Sequence, residues 1–208
     1  MRTDAYTDDA ICASMGLPLF EHDPACLSAK RALRILLKPS FDPEICLSFV
    51  DGAVSVVSAR ATIRHQFQPA PIPTDRARAS LEPGSFTALL DDIERVADTA
   101  VGSGFMIDGM NAEVALFREG VLVFRVTRVA GMRDDWAAIL GRVIETTWES
   151  IESPYCRNTL ADAGKYAGLT LPQETEPVRK PFVGTVVLGT EEERTEVLEA
   201  LRKVYTST

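Results

Sequence analysis

The chain has 208 residues, a net charge of −8 and a hydrophobic fraction of 46%. Those figures describe an ordinary folded protein with enough apolar surface for a core without disulfide or metal staples. An isoelectric point near 4.9 argues against a nucleic-acid binder, whose affinity comes from neutralising phosphates.

The N-terminus, Met1-Arg2-Thr3-Asp4-Ala5-Tyr6, has neither the basic start nor the apolar stretch of a secretory signal. No apolar run approaches the roughly 18 residues that span a bilayer. A cytoplasmic protein of bacterial character, without membrane contact, is therefore expected. Charge is uneven, at −4 over residues 1–27, +3 over 28–82, −5 over 83–171 and −2 over 172–208. The basic second block, with Arg76 and Arg78, is the one stretch suited to an acidic partner, although a solvated face is the favoured reading.

In chain order, residues 1–27 show no sustained period, and Pro18 and Pro24 interrupt any long helix. They read as an irregular arm packed by Leu17, Leu19 and Phe20. Arg31 to Lys38 reads as a strand, followed by a turn over Pro39-Ser40-Phe41-Asp42-Pro43. Glu44 to Val50 and Ala53 to Arg64 flank Asp51-Gly52, a strong hairpin signal because a type I′ turn needs positive φ at both central residues. Gln66 to Glu82, with Pro69, Pro71 and Pro73, reads as an extended, exposed connection.

Pro83 opens a helix at a position where its missing N–H costs nothing. Phe86, Leu89, Leu90, Ile93, Val96, Ala97 and Ala100 then form one apolar stripe, which Gly102 and Gly104 end. A second hairpin, Glu113 to Arg118 and Val121 to Val129, turns at Glu119-Gly120. Asp134 is placed to cap a helix whose apolar face runs from Trp136 to Ile151. Ser153-Pro154 starts another helix, which Gly164 would stop. Pro172 to Pro181 reads as a polar linker, Phe182 to Leu188 as a strand, and Thr190 with Glu193 as the capping box of a last helix.

The predicted fold is α+β, a mostly antiparallel sheet built from two hairpin–helix units, with helices on one face and a C-terminal strand–helix unit. Residues 1–27 form the arm, 28–171 a single domain and 172–208 a linker and terminal unit packed on it. Two separate lobes are the alternative.

Candidate chemistry is sparse. The four cysteines, Cys12, Cys26, Cys46 and Cys156, include no C-x-x-C pair and read as buried free thiols. Cys46 and His65 would be the first nucleophile and base to pair. Hairpin register sets Cys46 opposite Val57, leaving His65 on the order of 26 Å further along a continuous strand. His22 and Cys26 would share a helix face, but Pro24 lies between them. Cys156 with His22 or His65 is unconstrained, and makes the best thiol site available.

Gly102-Ser103-Gly104 follows a helix, not a strand, so it does not suit a phosphate. Leu188-Gly189-Thr190 precedes Glu191, Glu192 and Glu193, which would repel an anion, and Asp134-Asp135 has the same defect. Asp108 and Glu113 could form an acidic pair, though Asp108 also suits a turn. Trp136 and Trp148 share one helix face and are core residues or interface anchors. No metal or cofactor is expected. The composition favours a non-enzymatic binding or regulatory protein, such as an inhibitor or immunity-like partner of another protein, with a homo-oligomer as a further possibility. The alternative is a hydrolase with a dispersed thiol or carboxylate site.

Overall fold

A computed structural model describes residues 6–65, 70–97, 109–130, 135–174, 178–179, 186–187 and 190–206. Six strands form one sheet, β1 (Arg31–Pro39), β2 (Ile45–Val50), β3 (Ala53–Ala59), β4 (Thr74–Ser80), β5 (Met110–Arg118) and β6 (Val121–Ala130). Their spatial order is β4-β3-β2-β1-β5-β6, and every neighbouring pair is antiparallel. The β1–β5 pairing joins the two hairpin units into one sheet and excludes the two-lobe alternative.

Both hairpins turn as their sequences dictate. Asp51 and Gly52 have φ of 50° and 77°, and Glu119 and Gly120 have φ of 50° and 74°. Val50 pairs with Ala53 and Cys46 with Val57. β3 stops at Ala59, five residues short of the predicted Arg64. The buried Glu44 carboxylate accepts the Ile63 and Arg64 amides at 2.7 and 3.1 Å, which pulls Ile63–His65 into a 3-10 turn. The 26 Å estimate for His65 therefore does not apply, because the strand it assumed is not continuous.

Within Gln66 to Glu82, the second half is no free connection. Thr74–Ser80 pairs with β3 along its whole length and forms an edge strand. Its alternation of Arg76, Arg78 and Ser80 with Ala77 and Ala79 is a half-exposed strand pattern built from short side chains.

β1 explains why the sheet is covered on both sides. Leu33, Ile35 and Leu37 point into one cluster, and Ala32 and Leu36 into another. A strand apolar at both alternations has to be buried on both faces. The first face carries α3 (Pro83–Val96), α4 (Asp135–Ser150) and α5 (Pro154–Tyr166). Leu89, Leu90, Ile93 and Val96 of α3 pack with Ile139, Leu140, Val143 and Ile144 of α4. The opposite face is closed by the N-terminal arm.

That arm is more ordered than its prolines suggest. Thr7 caps α1 (Asp8–Ser14) by accepting the Ala10 amide at 3.2 Å. Asp23 caps α2 (Pro24–Ser28), where Pro24 occupies the first turn and initiates the helix. α5 runs past Gly164 to Tyr166, and Gly168, whose φ is 79°, closes it. Leu169 and Gly168 donate to the Gly164 and Lys165 carbonyls at 2.9 and 3.2 Å, the double bond of a Schellman ending.

At the C-terminal end, β7 (Val178–Arg179) pairs with β8 (Val186–Val187), and α6 (Glu191–Thr206) follows. The Thr190 amide donates to Glu193 at 2.8 Å, as the capping box requires. Gly102, Ser103, Gly104, Asp108, Asp134, Leu188 and Gly189 lie outside the described residues. Among the described residues no helix is long and apolar enough to cross a membrane.

Candidate functional site

The titratable residues inside the molecule fall into groups with different surroundings. The first lies beneath the arm. Arg34 of β1 is fully buried. Its guanidinium donates to the Leu19 and Phe20 carbonyls, each at 2.8 Å, and to Pro18 at 3.2 Å. Asp23 stands 3.5 Å away, and the Phe20 ring lies 5.3 Å from the guanidinium carbon. Cys46 sits on the neighbouring strand on the same face, two residues from Ser48, the partner of Arg34. Its sulfur meets the Cys12 thiol. That bond and the Arg34 charge draw the Cys46 pKa below the ordinary thiol value, while the same bond and burial raise that of Cys12. Burial pushes the Cys26 thiol up to about 12.

A second group lies where α5 meets the sheet. Cys156 is fully buried beside Ser153 and Ser58, and burial raises its pKa. Nearby, Arg60 pairs with Asp75 at 2.6 Å and with Glu193 at 3.3 Å, and its guanidinium carbon lies 4.3 Å from the Tyr155 ring centre. The Tyr155 hydroxyl donates to Glu193. These bonds fasten α6 to α5 and to the β3–β4 end. A third group joins Tyr166, which donates to Asp42 at 2.9 Å, to the buried Asp162, which accepts Lys165 and Gln173, each at 2.6 Å.

The predicted site residues are therefore dispersed. His22 is exposed in the arm, ahead of the Asp23 cap and so off the α2 face that carries Cys26. The sheet separates it from Cys156. The His65 side chain lies outside the described residues. Glu113 is held by Arg125 and by Thr127, the latter at 2.6 Å. No group of three or more His, Cys, Asp or Glu residues suited to a metal occurs among the described residues.

The sequence leaves Trp136 as either a core residue or an interface anchor. It is buried, donates to the Val96 carbonyl at 3.1 Å and stacks with Arg128 at 4.7 Å. Trp148 is half-buried beneath Arg157, 3.9 Å from its ring centre. Arg76 reaches the Met15 and Gly16 carbonyls at 3.3 and 3.2 Å and so ties the end of α1 to β4. Arg78 is exposed.

The surface feature the sequence reading missed is the β6 edge. Among the described residues β6 pairs with β5 alone, and its register slips between Leu116 and Phe117, leaving Val123 without a ladder partner on β5. This bulge, where two residues oppose one, turns Val123 outward. Val123 is 49% exposed and Val121 65%. Leu27 and Leu19, also exposed, belong to the arm segments that meet this strand. The Gly120 and Glu119 amides donate to the Ala29 and Lys30 carbonyls at 3.1 and 2.8 Å, and Arg125 of β6 lies over Phe20 at 5.2 Å. Arg125 also grips Asp8 and Glu21. Two of the five exposed large apolar side chains among the described residues, Val121 and Val123, thus lie on this one strand. The unbroken apolar run Val121-Leu122-Val123-Phe124 does not say which of its side chains face solvent.

Comparison with family models, with curated proteins and with solved structures gave no match.

Proposed function

We propose that the chain is a non-enzymatic protein-binding module and that its partner docks along β6. The observation that carries this reading is the open edge of β6 with Val121 and Val123 exposed on it. An unpaired edge offers a row of main-chain donors and acceptors, and side chains at alternate positions select the sequence that adds to it. Val121 and Val123 supply the apolar contacts that such a strand would bury.

Charge narrows the partner. Each copy carries −8, so two copies repel, whereas a basic segment is drawn in. The partner is therefore an extended segment of another protein, alternating apolar and basic residues. An inhibitor or immunity-like role is the physiological form this binding would take.

A synthetic peptide alternating Val and Lys serves as the probe, with amide resonances of the whole chain as the readout. The expected result is that shifts concentrate on β6 and vanish with Val123→Glu, while a Val–Glu peptide leaves the spectrum unchanged. Shifts mapping to β4, or equal shifts with both peptides, overturn the reading.

A further inference from the structure

We propose that Cys12 and Cys46 form a peroxide-driven disulfide that ties the N-terminal arm to the sheet. The pair is built from two separate elements, with Cys12 on α1 and Cys46 on β2. The two thiols share one buried cluster and interact electrostatically, and Arg34 lies on the same sheet face as Cys46. Asp23, Asp9 and Cys26 complete the ionisable surroundings. A thiolate is the nucleophile in thiol oxidation, and a fixed guanidinium next to one thiol favours that form. The second thiol of the pair supplies the resolving group.

The step balances with hydrogen peroxide as the oxidant. The Cys46 thiolate attacks one peroxide oxygen, the O–O bond breaks, and hydroxide leaves and takes a proton to become water. Cys46 is then a sulfenic acid. The Cys12 sulfur loses its proton and attacks the Cys46 sulfur. The S–O bond breaks, and the departing hydroxide takes that proton as a second water. Two thiols lose two electrons, and one peroxide gains them.

Both thiols are buried in the resting fold, Cys12 at 0% and Cys46 at 2% exposure. Access comes from the arm itself. α1 has seven residues, too few to persist as a helix away from its packing, and lifting it costs the Ile11 and Met15 burial and the Asp8 pairs with Lys38 and Arg125. Opening it admits a peroxide, and closing it brings the thiols back together. Cys26 and Cys156 do not share this arrangement. Cys156 lies on the other face of the sheet, among α5 and α4 side chains.

The test treats the reduced full chain with hydrogen peroxide and follows intact mass, then maps peptides after cleavage at Glu21 and Glu44, which puts Cys12, Cys26 and Cys46 on separate peptides. The expected product has lost two hydrogens, links Cys12 to Cys46 and forms before Cys156 gains oxygen. In a Cys12→Ser chain, Cys46 gains oxygen and no hydrogen pair is lost. A link to Cys26, oxygen addition without a link in the unaltered chain, or no reaction until urea unfolds it overturns the proposal. The linked chain is also expected to unfold at a higher temperature than the reduced one, because a loop of 33 intervening residues is closed. An unchanged or lower midpoint speaks against a clasp.

Discussion

Removing the Arg34 guanidinium takes a donor from the Pro18, Leu19 and Phe20 carbonyls, the last of them in a fully buried bond. Asp23 also loses the charge beside it. Arg34→Met keeps most of the volume and none of these bonds. Its expected cost is about 3 to 5 kcal/mol, the range for breaking a buried charged network from one side. Urea unfolding measures it, and a cost under about 1 kcal/mol would show that those carbonyls find other donors. Nothing local in Arg31-Ala32-Leu33-Arg34 separates the two arginines, yet Arg31 is partly exposed and pairs with Asp91 and Glu94 of α3. The difference lies in which face each occupies and in what the arm places there. A long-range packing fact of that kind leaves no mark on neighbouring residues. Glu44 is similar, since a carboxylate that starts a 3-10 turn from a strand end reads in sequence as one more surface acid.

At the level of elements, the two hairpin turns offer a controlled comparison. Gly52 and Gly120 have nearly equal positive φ. A Cβ at Gly52 meets nothing within 4 Å, whereas one at Gly120 would sit well inside van der Waals contact with the Leu27 carbonyl oxygen, which is backbone. Gly52→Ala therefore carries only the left-handed strain, about 1 kcal/mol. Gly120→Ala adds a clash that moves α2 or the turn, for a total of about 3 kcal/mol or more. Equal midpoints in urea for the two variants would mean that the arm yields freely. Both turns were legible because the Asp-Gly and Glu-Gly pairs act through local φ alone. The helices α3 and α4 were legible because their stripes repeat over three turns or more, whereas α5 shows only its Ser153-Pro154 start and an expected stop at Gly164. β4 was not, because Arg76-Ala77-Arg78-Ala79 alternates without large apolar residues and follows three prolines. α1 and α2 carried readable caps in Thr7 and Asp23, but each is too short for a stripe, and Pro24 reads as a breaker unless the cap before it is weighed. The β6 edge escaped notice for a different reason, since strand order decides which strand is outermost and sequence does not supply that order.

For the whole molecule, acidity acts in two opposed ways. Burial raises the pKa of Glu44, Asp75 and Asp162 above their ordinary values of 4.5 and 3.8. A carboxyl raised in this way binds its proton more readily folded than unfolded. Its stabilisation is complete below the ordinary value and is lost as pH rises through the folded value. The net charge of −8 adds self-repulsion at neutral pH that fades toward the isoelectric point near 4.9. Glu193 works in the other sense. The Tyr155 hydroxyl and the Thr190 amide hold it down to about 2, so its stabilisation is present above 4.5 and disappears as pH falls toward 2. Asp92, lowered by Arg95 and then by Arg142, follows Glu193. Stability is therefore expected to rise as pH drops from 8, reach a maximum at about pH 5 and decline below that. Calorimetry across this range reads the thermal midpoint directly. Added salt should raise the midpoint at pH 8, where repulsion is greatest, and change it little near pH 5. Glu193→Gln should flatten the acid-side decline and leave the rise between pH 8 and 5 in place. A midpoint that falls steadily from pH 8 to 5 would mean that the buried carboxyls stay ionised without penalty, held by the donors around them.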